Sequence, residues 1–517
     1  MILRAAFVVG LVLASPATAQ NAGDSASSPV TDSTFSPVAD STFSPEAVRA
    51  PEEVASPFTL DAARAQEESA WAMLPEILSH IRPPIVPDRT CRAIDYSARP
   101  DDEDDDRPGI LAAIRDCASR GGGQVVLTPG IYQSNGPIHF ESNIELHLER
   151  GALLRFGTDP EDYTPLVRVR WEGTFAYNYS PLLYAAGREN IAITGEGEID
   201  GQAEGTWSLW KSGNDGRNQE ADQERLRAMG AAGVPVAERI FGNGIADLDG
   251  DGVNDGDGQP HYLRPSLIQF LESRNILIEG VTLRQSPFWT THLVLCENVT
   301  VRGLTIRHGT TNDDGVNPES SRYVLIEDND VHTDDDPIAI KAGRDEDGRR
   351  YPGAAYVVIR NNKLHSNVGG ALSIGSEMSG GVEWVFIQDN VGINERGRGL
   401  YLKSNRDRGG FIRHVYVRDL DLLSAQQGFE ITTDYKGYRG GTAPPDVHDI
   451  FLRDVRVWDA TMVPMALLGQ VGVPVRRLFL GDVQFRGAQA DPTLRHVEEV
   501  VADEVRINGL RWEGIRP

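Results

Sequence analysis

Seven near-copies of one seven-residue segment recur between residues 275 and 455, and they constrain the fold more than any other feature. Each copy places a run of apolar, mostly β-branched residues before a polar turn. Successive copies begin 23 to 35 residues apart. They occupy residues 275–281, 298–304, 323–329, 356–362, 384–390, 414–420 and 449–455.

Segments of this length cannot bury an apolar face alone, so successive units must stack on one another. Because the units are strands with no helices between them, the pattern predicts an all-β, single-stranded parallel β-helix. A β-sandwich is the alternative, but it requires hairpins with Asn-Gly-type turns, which are scarce in this sequence. We therefore expect the β-helix over residues 89–517, with earlier strands at 125–127, 144–148 and 191–193 and one helix at 110–118.

The first 88 residues divide into three parts. Residues 1–19 have a basic residue, a short apolar run and a small-x-small site, which is the pattern of a secretory signal peptide. Residues 20–58 are rich in Ser, Pro, Ala, Asp and Thr and are expected to form a disordered linker, because such a composition cannot bury a core. Residues 59–88 are expected to contain a short helix over 60–81, ended by Pro83 and Pro84. The chain is thus expected to be secreted or periplasmic.

Cysteine content limits the possible disulfides, and net charge limits the classes of binding partner. The three cysteines, Cys91, Cys117 and Cys296, leave at least one unpaired. A Cys91–Cys117 disulfide and three buried thiols are both compatible with the sequence. The net charge of −26 argues against nucleic acid or an anionic membrane as a partner, and we expect a monomer.

Three carboxylates are expected to meet on one surface. Asp314 ends a turn one repeat before the turn that contains Asp335 and Asp336. Positions one repeat apart lie above one another, about 4.7–4.9 Å apart, in a stack of coils. Clustered carboxylates repel each other and push their pKa values apart, so one can stay protonated while others ionise. Hydrolysis of a glycosidic bond needs such a combination of acid and base.

The landmarks of the chain are similar to those of the polygalacturonase family, glycoside hydrolase family 28. They are Asn312-x-Asp314-Gly315, Asp335-Asp336 before Ile-Ala-Ile-Lys341, Ile374-Gly-Ser-Glu377 and Lys403 in Gly-Leu-Tyr-Leu-Lys. The resemblance, which runs from about Cys91 to the C-terminus, implies a right-handed parallel β-helix that hydrolyses α-galacturonosyl bonds with inversion and without a catalytic cofactor. It implies that Asp335 is the general acid, that Asp314 and Asp336 activate water, and that the substrate is bound by Asn312, Lys341, Tyr401 and Lys403.

Two positions depart from that family. The family's histidine in a Gly-His-Gly turn falls at Gly369 or Gly370, and its Arg-Ile-Lys reads Tyr401-Leu402-Lys403. A phenol cannot replace the bidentate binding of a carboxylate by a guanidinium. The losses indicate an altered specificity, and Arg398, Arg406 and Arg408 are candidates to compensate.

An acidic insertion at about residues 245–259 resembles the opening of a calcium loop. Aspartates at positions 1, 3 and 5 with Gly at 6 converge on the ion, and the glycine permits the sharp turn. Position 12 is Gly258 instead of the bidentate Glu, so a solvated acidic loop is the alternative. We expect any calcium here to be structural, with ligands from Asp247, Asp249, Asp251 and Asp255.

The sequence therefore predicts an inverting hydrolase of pectic polysaccharide. The alternatives are a hydrolase of rhamnogalacturonan or another uronate-containing glycan, and a carbohydrate-binding β-helix without activity. A β-helix polysaccharide lyase is a further alternative. It would require a catalytic calcium and an Arg or Lys base, and the missing arginine at position 401 argues against it.

Overall fold

The computed structural model describes residues 57–213 and 216–514. The predicted signal peptide, residues 1–19, lies outside the described residues, as does nearly all of the predicted linker, residues 20–58. Within the described ranges, no helix is both long and apolar enough to cross a membrane.

The chain winds into coils, and each full coil contributes a strand to each of three parallel faces, as the repeats predict. The first face contains Thr90–Arg92, Gly123–Leu127, Ile144–Leu148, Glu189–Gly195, Arg274–Glu279, Glu297–Arg302, Arg322–Glu327, Ala354–Arg360 and Val497–Asp503. The second face contains Gly130–Ser134, Ala152–Phe156, Glu198–Asp200, Thr282–Arg284, Thr305–Ile306, Asp330–Thr333, Lys363–Ser366 and Arg506–Ile507. The third face contains Ile138–His139, Leu183–Ala186, Ile268–Leu271, Thr291–Val294, Val316–Glu319, Ala339–Ile340, Gly370–Gly375, Ala460–Leu468 and Thr493–Arg495.

Four longer strands bend around the corners and belong to more than one face: Val382–Lys403, Phe411–Thr432, Asp446–Val457 and Val475–Phe485. Two short antiparallel pairs interrupt the parallel pattern. One joins Val167–Trp171 to Thr174–Asn178, and the other joins Leu510–Arg511 to Arg506–Ile507.

The core is a set of stacked apolar ladders inside the coils. On the first face Val299, Val324, Val357 and Val385 are register partners in turn, and all four are fully buried. Identical β-branched side chains pack well on a pleated surface. The apolar positions of the repeats are therefore the positions that face the interior, and the parallel β-helix prediction is confirmed.

Asparagines at the turn after the first face form a second ladder. The side-chain amide of Asn329 donates to Asn362 Oδ1 at 2.9 Å, and that of Asn362 donates to Asn390 Oδ1 at 2.9 Å. All three are buried, where an unpaired amide would be costly. These turn asparagines are thus structural.

The N-terminal segment forms two helices, Leu60–Ala72 and Leu74–His80, where the sequence predicts one over 60–81. The break falls before Pro75, which has no N–H to continue the hydrogen-bonded ladder. Both helices cover the outer side of the first face. Trp71 lies edge-on to Phe386 with ring centroids 5.3 Å apart, and Ile77 is fully buried.

The N-terminal end of the β-helix is covered by Arg107–Ser119, the helix predicted at 110–118. It is joined to the first strand by a Cys91–Cys117 disulfide, which settles the pairing, and Cys296 is a free, buried thiol. The remaining helices lie in loops, and all are short except the 13-residue Gln219–Ala231. The short ones are Ala93–Tyr96, Pro160–Tyr163, Thr206–Ser212, Val236–Glu238 and Asp345–Arg349.

Long excursions leave the coils at the two edges of the third face. Between the second and third faces lie the hairpin of Val167–Trp171 and Thr174–Asn178 and the segment 201–267. Between the third and first faces lie the loops 342–353, 404–410 and 433–445. The third face is therefore bordered by long loops along both edges, and we infer that it is the floor of a cleft between them.

Candidate active site

The three predicted carboxylates lie in stacked turns between the second and third faces. Asp314 precedes Val316–Glu319, and Asp335 and Asp336 precede Ala339–Ile340 one coil later. The turns are held together by the backbone, since Gly315 N donates to Asp336 O at 3.0 Å. The stacking expected from the repeat is thus what brings them to one place.

Asp336 is fixed by donors from the next two coils. Gly370 N donates to Asp336 Oδ1 at 2.7 Å and Ser373 Oγ donates to the same atom at 2.8 Å. Lys403 Nζ lies 2.8 Å from Asp336 Oδ2. Burial alone would raise the pKa of Asp336, but the charges of Lys403 and Lys341 and these hydrogen bonds outweigh it and lower the pKa. Asp336 is therefore held ionised.

Asp335 has the opposite tendency. It is the most exposed of the three carboxylates, being half-buried where Asp314 is 3 % and Asp336 1 % exposed. Its burial in the cleft and the neighbouring charge of Asp336 raise its pKa to about 6. An accessible carboxyl that keeps its proton near pH 6 suits a general acid.

Asp314 lies deeper, against Lys341. Lys341 Nζ is 3.4 Å from Asp314 Oδ2 and 3.2 Å from Glu377 Oε2. Burial raises the pKa of Asp314 well above its ordinary value, with Lys341 opposing the shift and Asp335 and Asp336 adding to it. Lys341, predicted to bind substrate, is itself buried, and its contacts place it beside Asp314 instead of in open solvent.

Asp313, which the sequence analysis did not single out, organises these turns. Its Oδ1 accepts the backbone N–H of Asp334 at 2.8 Å and that of Asp335 at 3.3 Å, and its Oδ2 accepts that of Gly309 at 2.7 Å. The ring of His308 lies with Nδ1 2.8 Å from Oδ2. The position of Asp313 next to Asp314 could have suggested a role for it from the sequence. Its contacts with residues 308 and 309 could not be predicted, because they depend on the fold of the loop.

Asn312 links the acid to a buried arginine. Its amide donates to Asp335 Oδ2 at 3.3 Å, and its oxygen accepts Arg264 Nη2 at 3.3 Å. Arg264 is fully buried and also donates to the carbonyls of Pro287 and Thr311. Asn312, predicted to bind substrate, is placed here to orient the Asp335 carboxyl.

The positions where the resemblance places the family histidine, Gly369 and Gly370, leave little room for a side chain. A Cβ on Gly369 would lie 2.5 Å from Asp336 Oδ1 and 2.6 Å from Asp335 Oδ1. At Gly370 it would lie 2.5 Å from Ser373 Oγ and 2.7 Å from Tyr401 Cβ. His365, the nearest histidine in the sequence, stacks on His332 with ring centroids 4.1 Å apart, on second-face strands.

Tyr401, at the place of the family arginine, lies between two cations. Lys403 Nζ is 4.6 Å and Arg398 Cζ 4.8 Å from the centre of its ring. Arg398 Nε donates to Glu430 Oε2 at 2.8 Å. The other two candidate arginines are committed elsewhere: Arg406 to Gln470 and Val471, and Arg408 to Ser376 and Asp345.

One end of the cleft floor is crossed by the helix Gln219–Ala231. Arg227 Nη2 lies 2.6 Å from Glu172 Oε2, and Arg344 bridges Glu172 to Glu377 at 3.2 and 2.5 Å. Glu224 pairs with Arg439 at 2.6 Å. These ion pairs tie the helix to the hairpin on one side and to the loops 342–353 and 433–445 on the other.

The acidic insertion forms an irregular loop whose carboxylates partly converge. Ligand oxygens of Asp247, Asp249 and Asp255 lie within 4.8 Å of one another, and all three residues are exposed. The carboxylate of Asp251 accepts the backbone N–H of Val253 at 2.7 Å and does not belong to this group. Oxygen ligands at this spacing suit Ca²⁺, and the predicted calcium site remains a prediction.

The profile of glycosyl hydrolases family 28 matches residues 212–503, more than half of the chain. A probable polygalacturonase of Vitis vinifera is 29 % identical over 357 residues, which are 66 % of this chain and 63 % of that protein. The chain spans between about two fifths and just under two thirds of the length of the curated relatives it matches.

Solved structures agree with the profile. A hyperthermoactive exopolygalacturonase from Thermotoga maritima is 37 % identical with a TM-score of 0.76, over 86 % of this chain and 97 % of that one. A family 28 exopolygalacturonase of Yersinia enterocolitica is similar in fold, with 22 % identity, a TM-score of 0.66 and coverage of 83 % and 76 %. With the carboxylates stacked in the turns of a parallel β-helix, these matches show that the chain belongs to glycosyl hydrolase family 28.

Proposed function

We propose that the protein hydrolyses α-galacturonosyl bonds in pectic polysaccharide, with inversion at the anomeric carbon. One observation supports this most strongly: the ionised Asp336, held by Lys403 at 2.8 Å, lies next to the half-exposed Asp335, whose pKa is about 6. A base and an acid therefore coexist in one group near pH 5. Membership of a family that includes the polygalacturonases to which this chain is similar supports the substrate class.

The mechanism follows from these protonation states. Asp335 gives its proton to the glycosidic oxygen as the bond from that oxygen to the anomeric carbon breaks. A water molecule attacks the same carbon from the opposite face and loses a proton to Asp336. Asp314, whose burial favours its protonated form, orients that water. The bond from the anomeric carbon to the water oxygen thus replaces the bond to the glycosidic oxygen, and the proposed step uses no cofactor.

Cations lie near the carboxylates although the whole chain carries −26. Lys403 pairs with Asp336 and Arg398 with Glu430 on the third face, and Lys211 is exposed on the segment 201–267. Opposite charges in a cleft raise the local concentration of a charged ligand. The cations therefore favour a uronate-containing chain over a neutral one.

The crossing of the floor by Gln219–Ala231 favours action from a chain end. The helix pairs with Glu172 of the hairpin at one edge of the third face and with Arg439 of the loop 433–445 at the other edge, so its ion pairs join the two sides. We infer that a polymer does not continue past this helix and that an end of the substrate reaches Asp335. Release of single sugars is the expected product pattern.

The test is product analysis of the purified mature chain on polygalacturonate and on rhamnogalacturonan, each with and without a chelator. Saturated monosaccharide from polygalacturonate supports the proposal. Cleavage of rhamnogalacturonan alone would assign the related specificity. Unsaturated, chelator-sensitive products would indicate a lyase, and binding without turnover would indicate the carbohydrate-binding alternative.

We further propose that the chain is exported through its signal peptide and acts as a monomer outside the cytoplasm, without nucleic acid or membrane partners. Mass spectrometry of the protein from a producing cell should show an N-terminus near residue 20 in the periplasm or medium. Light scattering should give a mass near that of one chain. An uncleaved N-terminus in the cytoplasm, or a dimer mass, would contradict these points.

A further inference from the structure

Arg398 occupies a position on the cleft floor next to the carboxylates. It is the strand partner of Gly370, whose N–H binds Asp336 at 2.7 Å. Adjacent strands lie about 4.7–4.9 Å apart, so the backbone of Arg398 is one coil from Gly370 and two coils from Asp336, the ionised base. Its guanidinium lies 4.8 Å from the ring centre of Tyr401.

The guanidinium is anchored on one edge and open on the other. Its Nε donates to Glu430 Oε2 at 2.8 Å, and its side chain is 32 % exposed. A guanidinium has five N–H donors in a rigid fork, so engagement of Nε leaves the two terminal nitrogens for a bidentate acceptor. Stacking on Tyr401 and the bond to Glu430 fix the direction of that fork before a ligand arrives.

We propose that Arg398 binds a carboxylate of the substrate and thereby takes over the task that Tyr401 cannot perform. This rests on the proposed function, since it assigns the residue that reads the acid group of a galacturonate. Arg406 and Arg408 are less suited, because Arg408 is buried and Arg406 is bound to the loop 469–474 through Gln470 and Val471. Lys403 is committed to Asp336.

Glu430 acts as the positioning residue for this contact. It is buried and accepts Arg398 Nε. Without it, Arg398 keeps its charge and its aromatic neighbour but loses the bond that sets its orientation. A Glu430→Gln variant should therefore raise KM less than removal of Arg398 does.

The experiment compares Arg398→Gln with Arg413→Gln in steady-state hydrolysis of polygalacturonate. Arg413 is a matched control: it is also 32 % exposed and pairs with a glutamate one coil away, Glu383 at 2.9 Å, but it lies on the first face. Arg398→Gln should raise KM about tenfold or more with kcat within about threefold, because a charge-assisted bond to bound substrate is lost in ground and transition states alike. Arg398→Lys should recover part of the loss, since lysine restores charge but not the fork.

Thermal unfolding of both glutamine variants separates binding from stability, because each loses one ion pair of the same kind. An unchanged KM for Arg398→Gln, or an equal rise for Arg413→Gln, overturns the inference while leaving the proposed function intact. A wild-type chain that releases no sugar from polygalacturonate rejects the proposed function and, with it, the assignment of Arg398.

Discussion

Lys403 Nζ contacts Asp336 Oδ2 at 2.8 Å although the two residues lie two coils apart, and both are buried. A buried carboxylate without a partner would shift its pKa upward and become neutral. The lysine keeps Asp336 charged in a place where Asp335, one residue earlier, retains its proton. Burial opposes the charge on Lys403 as well, but Asp336 and its neighbours outweigh it and raise the lysine's pKa.

The pH dependence of kcat/KM should show that Asp335 acts in its protonated form and Asp336 in its ionised form. The reaction needs Asp335 protonated, so activity should fall as pH rises through about 6. It also needs Asp336 ionised, and because its pKa is lowered, the acid limb should lie below the usual value for Asp of about 3.9. Initial rates on a short oligogalacturonate from pH 3 to 9 measure both limbs, and activity that still rises above pH 7 would exclude Asp335 as the acid.

His308 should matter for turnover through Asp313. Replacement by Ala removes one of the partners that fix the Asp313 carboxylate, and with it part of the hold on the backbone of Asp334 and Asp335. A lost hydrogen bond of this kind is worth about 0.5–1.5 kcal/mol, so kcat should fall about tenfold at most with KM nearly unchanged. His365→Ala is the control, because His365 stacks on His332 away from the carboxylates. Equal kcat values for the two variants would argue against the role of His308.

The acidic loop should bind calcium at Asp247, Asp249 and Asp255, whose oxygens converge. Calorimetric titration of the chelator-treated protein should show uptake of Ca²⁺ that an Asp247→Asn, Asp249→Asn double variant loses. Asp104→Asn, in the exposed acidic run 101–105, should leave uptake unchanged. Since the ion is structural in this account, chelation should lower the melting temperature but not abolish hydrolysis. Absence of uptake by the native chain would remove the site.

The repeats predict the coils, and the stacked turns follow from them, because a periodic pattern of apolar residues leaves few other ways to bury a face. The partners of individual side chains do not follow. Tyr323, Tyr356 and Trp384 lie near the start of their strands with φ near +55°, a conformation that bulky residues rarely adopt. It is accepted here because each coil bends alike and lets neighbouring rings stack, as Tyr323 and Tyr356 do at 4.9 Å.

The repeats also predict some residues of the site but not others. Asp314, Asp335 and Asp336 lie in the turns of the repeat, so their meeting could be inferred from spacing. The contact of Arg398 with Tyr401 and Glu430 joins successive coils through side chains of different lengths. Similarly, position 369 favours a glycine because two carboxylate oxygens occupy the space that a Cβ would need. The sequence alone does not reveal this crowding.

The N-terminal helices should stabilise the fold without affecting the reaction. Trp71 is 8 % exposed, lies edge-on to Phe386, and has Arg418 Cζ 3.9 Å from its ring centre. Trp71→Ala should cost about 3–5 kcal/mol, as is usual for a buried tryptophan, and lower the melting temperature, with kcat unchanged because the helices cover the first face and not the third. Ile85→Ala, at a site 82 % exposed, is the control with little expected effect. Loss of activity in a Trp71 variant that melts normally would contradict this.

The most direct test of the central claim is to follow the products of trigalacturonate by proton NMR from the first turnover, with wild type and Asp335→Asn in parallel. Wild type should release saturated galacturonate first as the β-anomer, which then equilibrates with the α-anomer. Asp335→Asn should release none at an unchanged melting temperature. An α-anomer at first turnover, an unsaturated product, or full activity of Asp335→Asn would contradict an inverting hydrolase with Asp335 as its acid.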